Sequence, residues 1–93
     1  MDLQTIIKSN NCRIIDVRTP AEFSGGHVAG SKNIPLNEIP DFVAELSDIE
    51  GPIVLCCASG NRSGQATAFL QAQGLENVYN GGSWLDVNFV INN

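Results

Sequence analysis

The segment IVLCC, residues 53–57, constrains the fold of this chain more than any other stretch. It is a continuous apolar run, and it lies between Gly51-Pro52, which breaks the chain, and a turn that contains Gly60. Such a run predicts a central strand of a parallel sheet, covered on both faces. Ligands of α/β domains bind at the carboxyl ends of parallel strands, so the residues that follow 53–57 form the first candidate site.

Predicted strands and helices alternate along the chain. The stretch RIIDV (13–17) is rich in β-branched residues and predicts a strand. In 37–49 apolar residues recur at helical spacing, and Asn37 is expected to cap that helix. Three more helices are predicted: one at 2–10 capped by Asp2, one at 19–24 that begins with a Thr19/Glu22 capping box, and one at 62–73. Two further strands are predicted at 31–36 and 77–79, and a tail that holds Trp84 follows the second of them. This alternation predicts an α/β domain on a mainly parallel sheet.

Length and charge narrow the functional classes. The chain has 93 residues, which supports one domain spanning 1–93. Ten acidic side chains oppose five scattered basic ones, so we expect no nucleic-acid partner. No apolar run approaches membrane-spanning length, so no membrane partner is expected either. The N-terminus is too polar for a signal peptide, which predicts a cytoplasmic location, although a removed leader would leave no trace here.

The cysteines argue for free thiols. Three cysteines are an odd number for a small disulfide scaffold, and their spacing contains no CxxC pair. A zinc site is therefore not expected, and reduced thiols in a reducing compartment are the natural interpretation.

The loop after the predicted central strand has the features of an anion site. Gly60 gives the chain freedom to turn, and successive backbone N–H groups in such a turn can form a nest. The following helix begins near Asn61 or Arg62, and its N-terminus adds partial positive charge. Arg62 adds a full charge. A cysteine that faces this loop would be largely thiolate near neutral pH and would need no histidine as base.

The two adjacent cysteines have different predicted environments. Cys56 is expected to end the buried strand, where apolar surroundings keep a thiol inert. Cys57 is expected to be the first loop residue, open and close to the positive groups. The sequence therefore assigns the nucleophile to Cys57.

Three segments resemble the single-domain rhodanese sulfurtransferases. IIDVRTPAEFSGGHVAGSKNIPL (14–36) is similar to the N-terminal signature of that family, PIVLCCASGNRS (52–63) to its active-site segment C-x-x-G-x-R-S, and VYNGGSW (78–84) to its Gly-Gly element. The resemblance implies a three-layer domain with a central, mainly parallel sheet of about five strands flanked by helices. Trp84 comes earlier after the glycines than is common in the family, which leaves the C-terminal packing open.

The resemblance also implies an activity. Cys57 would take a sulfur atom from a small anionic donor such as thiosulfate and hold it as a persulfide. Cyanide or a thiol, including a protein thiol, would then accept that sulfur, with no metal or organic cofactor. The residues implied to cradle the persulfide are Ala58, Ser59, Gly60, Asn61, Arg62 and Ser63.

Four further residues match the N-terminal signature: Asp16, Arg18, Glu22 and His27. We interpret them as structural support for the first strand and its loop, because most ion pairs that perturb pKa values are structural. His27 is the only histidine and lacks partners for a metal site.

Besides the sulfurtransferase, two other functions remain open from the sequence, and the first is a phosphatase or arsenate reductase that uses Cys56. In phosphatases and arsenate reductases related to the rhodanese fold, five residues separate the cysteine from the arginine, which is the spacing from Cys56 to Arg62. Four residues separate Cys57 from Arg62, the spacing typical of rhodaneses. The third hypothesis is a non-catalytic sulfur-carrier or binding module.

Overall fold

The computed structural model describes residues 2–93 and contains a four-stranded, fully parallel sheet with the order β2-β1-β3-β4. The strands are β1 (Arg13–Asp16), β2 (Lys32–Asn33), β3 (Ile53–Cys57) and β4 (Val78–Ser83). The helices are α1 (Leu3–Ile7), α2 (Pro20–Ser24), a 3₁₀ helix (Leu36–Phe42), α3 (Val43–Ser47), α4 (Asn61–Ala72) and α5 (Trp84–Ile91). The α/β class is confirmed, with four strands within the described residues where about five were expected.

Helices cover both faces of the sheet. Ile53, Leu55 and Cys57 of β3 pack in one cluster, which we call the first core, together with residues from the 3₁₀ helix, α3 and α4. Val54 and Cys56 pack in the second core, with residues from α1 and α5. Successive side chains of a strand point to opposite faces, so the two neighbouring cysteines belong to different layers of the molecule.

The central strand was predicted correctly, but its end was not. All five residues of β3 are buried, as the apolar run indicated. The prediction that Cys57 opens the loop is wrong, because β4 continues to Ser83 and pairs with Cys57 there. The strand predicted at 77–79 is thus longer, and the tail after it, for which no element was predicted, forms α5.

The helix predicted over 37–49 is divided. Residues 36–42 form the 3₁₀ helix and only Val43–Ser47 is α-helical. Pro40 explains the division, since proline has no N–H to donate and disfavours α conformation in the residue before it. Asn37 is not the cap; Pro35 precedes the 3₁₀ helix and no side chain caps it. The predicted apolar face is still present, with Ile39 and Leu46 buried in the first core.

Two predicted helix caps are confirmed. The Asp2 carboxylate accepts a hydrogen bond from the Thr5 N–H at 2.9 Å and begins α1. Thr19 and Glu22 form the capping box that begins α2, which ends before Gly25. Within residues 2–93, no helix combines the length and the apolar character needed to span a bilayer.

Candidate active site

The site lies at the carboxyl end of β3, where a short turn leads into α4. Gly60 is the last residue before α4 and has φ +96°, in the region that L side chains rarely adopt. A Cβ atom on Gly60 would also lie 3.2 Å from the Gly82 Cα of β4. Both the backbone conformation and the close approach of β4 therefore require glycine at this position.

Hydrogen-bond donors converge on the Cys57 sulfur. The Gly60 N–H donates to Sγ with an N···S distance of 3.0 Å, and the Ser63 N–H does so at 3.4 Å. The Ser63 hydroxyl oxygen is also 3.4 Å from Sγ, and the Ser59 N–H faces the same atom. Cys57 is 0% exposed, so the predicted open position is wrong: the turn folds over the thiol. This ring of donors is a nest for a negatively charged sulfur.

The environments of the two thiols shift their pKa values in opposite directions. Burial raises the pKa of Cys57, but the hydrogen bonds from Ser63, Ser59 and Gly60 together outweigh it and leave that pKa below its ordinary value. Burial, aided by the charge of Asp16, raises the pKa of Cys56 from 9.0 to about 12. Cys56 is therefore a neutral thiol in the second core, and its position lends no support to phosphatase chemistry at that residue.

Arg62 is paired with Glu22 rather than bonded to the sulfur. Its two terminal nitrogens donate to the two carboxylate oxygens of Glu22 at 2.8 and 3.0 Å, a bidentate pair that joins α4 to α2. An anion-binding role for Arg62 stays a prediction. Ala58, Ser59 and Asn61 are exposed at the turn and carry no charge.

Asp16 and Arg18 form a buried ion pair beside the site. Asp16 is 0% exposed and Arg18 5%, and an Arg18 terminal nitrogen lies 2.7 Å from a carboxylate oxygen of Asp16. The same nitrogen donates to the Gly26 carbonyl at 2.7 Å, and the guanidinium lies 4.7 Å from the ring centroid of Trp84. The pair thus fixes the chain after β1 against α5.

His27 is exposed, and its side chain contacts Phe23. Its Nδ1 is 2.7 Å from the Phe23 carbonyl oxygen, and its ring stacks on the Phe23 ring with centroids 3.7 Å apart. Within residues 2–93, no three histidine, cysteine, aspartate or glutamate side chains gather as they would around a metal ion.

Asn80 of β4 contacts the turn and was not singled out from the sequence. Its Oδ1 lies 2.7 Å from the Ser63 Oγ and accepts from the Gly82 N–H at 3.0 Å. Its Nδ2 donates to the Gly60 carbonyl at 3.2 Å. The only signal for it in the sequence is an asparagine ahead of Gly-Gly, which is equally typical of an ordinary turn.

Comparisons with known proteins agree with this architecture. The family described as "Rhodanese-like domain" matches residues 2–84. The chain is 36% identical over 73 residues to the thiosulfate sulfurtransferase GlpE of Pseudomonas aeruginosa, an alignment that covers 78% of this chain and 66% of that protein. It therefore spans slightly less than two thirds of the length of this curated relative.

Solved structures are similar as well. A rhodanese with anions from E. coli superposes with a TM-score of 0.74 at 36% identity, covering 81% of this chain and 89% of the other. The human single-domain sulfurtransferase TSTD1 superposes with a TM-score of 0.73 at 26% identity, covering 90% and 87%. The extent of the family match, the relatives and the shared sheet lead to one conclusion: the chain belongs to the rhodanese-like domain family.

Proposed function

We propose that this protein is a sulfurtransferase that moves a sulfane sulfur from a small anionic donor such as thiosulfate to a thiol or cyanide acceptor. The observation that carries the proposal is the set of donors around the Cys57 sulfur, from Ser59, Gly60 and Ser63. They stabilise a thiolate without a neighbouring base, and a thiolate is the nucleophile that sulfur transfer needs. The relative named thiosulfate sulfurtransferase supports the same chemistry.

The proposed reaction has two displacement steps. The Cys57 thiolate attacks the outer sulfur of thiosulfate, an S–S bond forms to Cys57, and the original S–S bond breaks with its electron pair leaving on sulfite. The acceptor nucleophile then attacks the outer sulfur of the persulfide, and the electron pair of that S–S bond returns to Cys57 as thiolate. Cyanide would leave as thiocyanate and a thiol as a persulfide. Neither step needs a metal or an organic cofactor.

The burial of Cys57 adds a requirement to this mechanism. A donor sulfur can reach Sγ only when the turn opens, because Cys57 is 0% exposed. Ala58 and Ser59 are exposed and lie between β3 and α4, so we expect the opening to occur there. The outer sulfur of the persulfide would then take up the N–H groups that the thiolate releases. Three free thiols fit a reducing compartment such as the cytoplasm.

The test is uptake of sulfur from thiosulfate. Wild type, Cys57→Ser and the matched control Cys56→Ser are incubated with thiosulfate, and intact mass is measured before and after addition of cyanide. We expect wild type and Cys56→Ser to gain one sulfur that cyanide removes, and Cys57→Ser to gain none.

Each other outcome contradicts a stated part of the proposal. No uptake by wild type would overturn the sulfurtransferase assignment and favour a binding module. Uptake by Cys57→Ser would overturn the assignment of the nucleophile. Hydrolysis of an aryl phosphate that is lost in Cys56→Ser would instead support a phosphatase.

A further inference from the structure

Asn80 holds its side-chain amide in one orientation. Its Oδ1 accepts from the Gly82 N–H, and its Nδ2 donates to the Gly60 carbonyl. Exchanging the two amide atoms would set donor against donor at Gly82 and acceptor against acceptor at Gly60. The atom 2.7 Å from the Ser63 hydroxyl is therefore the oxygen, which can only accept.

The Ser63 hydroxyl has two acceptors and one proton. Its oxygen lies 2.7 Å from the Asn80 Oδ1 and 3.4 Å from the Cys57 Sγ. A hydroxyl donates a single hydrogen bond, so it cannot bond both atoms at once. The shorter contact favours donation to Asn80 while the sulfur is neutral, and a charged sulfur would draw the proton towards itself.

We propose that Asn80 is a positioning residue that competes with Cys57 for the single hydroxyl proton of Ser63. The inference rests on the proposed function only in that it concerns the same nucleophile. When Cys57 is a thiol, the Ser63 hydroxyl donates to Asn80. When Cys57 is a thiolate, the hydroxyl turns to the sulfur, and the Asn80 oxygen keeps the Gly82 N–H. Asn80 thereby shifts the ionisation equilibrium of Cys57 towards the neutral thiol and limits its reactivity.

The charged groups near the sulfur lie on other elements, and none of them is hydrogen-bonded to Asn80. Arg62 of α4 is held by Glu22 of α2. The Asp16–Arg18 pair lies at the end of β1, on the side of Cys56. At the turn, β4 presents the neutral Asn80 and the two glycines that follow it, so a change at Asn80 tests the hydrogen bond rather than a charge.

The test is the pH dependence of Cys57 alkylation by iodoacetamide, resolved by peptide mass spectrometry, in wild type, Asn80→Ala, Ser63→Ala and the double variant. Asn80→Ala removes the competing acceptor, so the pH at which the alkylation rate reaches half its plateau should fall by roughly 0.5–1 pH unit, the effect of one hydrogen bond. We call this pH the midpoint. In the Ser63→Ala background the same change should leave the midpoint unmoved. The midpoints of the variants are compared rather than their maximal rates, because the maximal rate also depends on how often the turn opens.

Asn77→Ala is the matched control. Asn77 anchors the other end of β4 by donating to the Ile49 and Gly51 carbonyls and has no contact with Ser63, so its loss should leave the midpoint at the wild-type value. Asn80→Val repeats the test with a residue that favours strands, should the alanine variant fold poorly.

Three results would overturn the proposal: an unchanged midpoint in Asn80→Ala, a raised one, or an equal shift with and without the Ser63 hydroxyl. Alkylation needs no sulfur donor, so its outcome is independent of thiosulfate uptake. A protein with the expected midpoints that takes up no sulfur would contradict the sulfurtransferase and leave the role of Asn80 standing.

Discussion

Glu22 uses one carboxylate for two structural tasks. Its Oε1 accepts from the Thr19 N–H at 3.0 Å, which completes the capping box of α2, and from Arg62 at 2.8 Å. Its Oε2 accepts the second Arg62 nitrogen at 3.0 Å. The hydrogen bonds from Arg62 are the largest cause that lowers the pKa of Glu22 from 4.5 to about 2, and the Thr19 N–H adds to them. The ionised Glu22 therefore joins α2 to α4, the helix that follows the turn.

This pKa predicts an acid-sensitive part of the stability. A carboxylate whose pKa is lower in the folded than in the unfolded state stabilises the fold fully at pH values above 4.5. That contribution is lost as the pH falls towards 2. Glu22→Gln keeps a capping-box residue but has no charge to lose. We expect its free energy of unfolding, measured by urea denaturation from pH 7 to pH 2, to fall less than that of wild type.

Glu45→Gln is the control for this measurement. Glu45 pairs with Lys32 at 3.0 Å on the surface, where both side chains are more than half exposed, and such pairs contribute little. The free energy of unfolding of Glu45→Gln should fall between pH 7 and pH 2 by as much as that of wild type. An equal loss of stability in Glu22→Gln and wild type would show that the Glu22–Arg62 pair does not stabilise the fold.

At the scale of elements, the end of β4 determines the geometry of the turn. Its register against β3 shifts between Leu55 and Cys56, so that Leu55 pairs with Asn80 and Cys56 with Gly82. Gly81 is the extra residue, and β4 there lies so close to β3 and α5 that no side chain fits. The shift places Asn80 beside Ser63 and Gly82 beside Gly60, which brings the strand into contact with the turn.

Gly81→Ala tests this close packing. A Cβ atom there would lie 2.6 Å from the Val54 Cγ1, 2.9 Å from the Val87 Cγ2 and 3.2 Å from the Leu55 carbonyl oxygen. Overpacking of this kind costs about 1–3 kcal/mol, so we expect the free energy of unfolding in urea to fall by that amount.

The control is Gly25→Ala, since a Cβ on Gly25 would find its nearest atoms at an ordinary 3.5 and 3.8 Å. We expect a change within about 0.5 kcal/mol for that variant. If Gly81→Ala were as stable as Gly25→Ala, the packing of β4 described above would be wrong.

The sequence predicts elements well where the pattern is local. The apolar run of β3, the Thr19/Glu22 capping box and the apolar face of 37–49 were each recognised from a few neighbouring residues. The full length of β4 was not, because residues 80–82 are Asn-Gly-Gly, a typical turn sequence. Their strand conformation comes from pairing with β3, which no local pattern encodes.

At the scale of the whole molecule, α5 closes the second core. Val87 is 1% exposed and packs with Val54 and Cys56. On the same helix Leu85 is 59% exposed and Phe89 is 70% exposed. The helix is apolar on several sides but buries only one of them, so its sequence alone does not show which residues hold it to the sheet.

Paired substitutions on α5 test this arrangement. Val87→Ala should lower the free energy of unfolding by about 2 kcal/mol, through lost burial and a residual cavity. Phe89→Ala removes a larger side chain that is mostly exposed and should change it by less than about 0.5 kcal/mol. Urea denaturation measures both, and a larger cost for Phe89→Ala would mean that α5 docks through its other face.

The site was predicted from the sequence only in part. The turn, Gly60 and the choice of Cys57 came from the strand boundary and the spacing to Arg62. The choice of Cys57 stays a prediction, but the exposure expected for it was wrong: both thiols are buried, and they differ in the face of the sheet that they occupy. The pairing of Arg62 with Glu22, 40 residues away in the chain, and the contact of Asn80 with Ser63 depend on long-range geometry.

The placement of Cys56 and Cys57 on opposite faces of β3 also determines how the protein responds to oxidation. Cys12, the third thiol, packs beside the second core together with Cys56, so the sheet separates both of them from Cys57. An oxidised Cys57 consequently has no resolving thiol within the described fold with which to form a disulfide. If Cys57 is the nucleophile of the proposed sulfurtransferase, its repair would depend on a reductant from outside, and the redox state of the surroundings would set the active fraction of the protein.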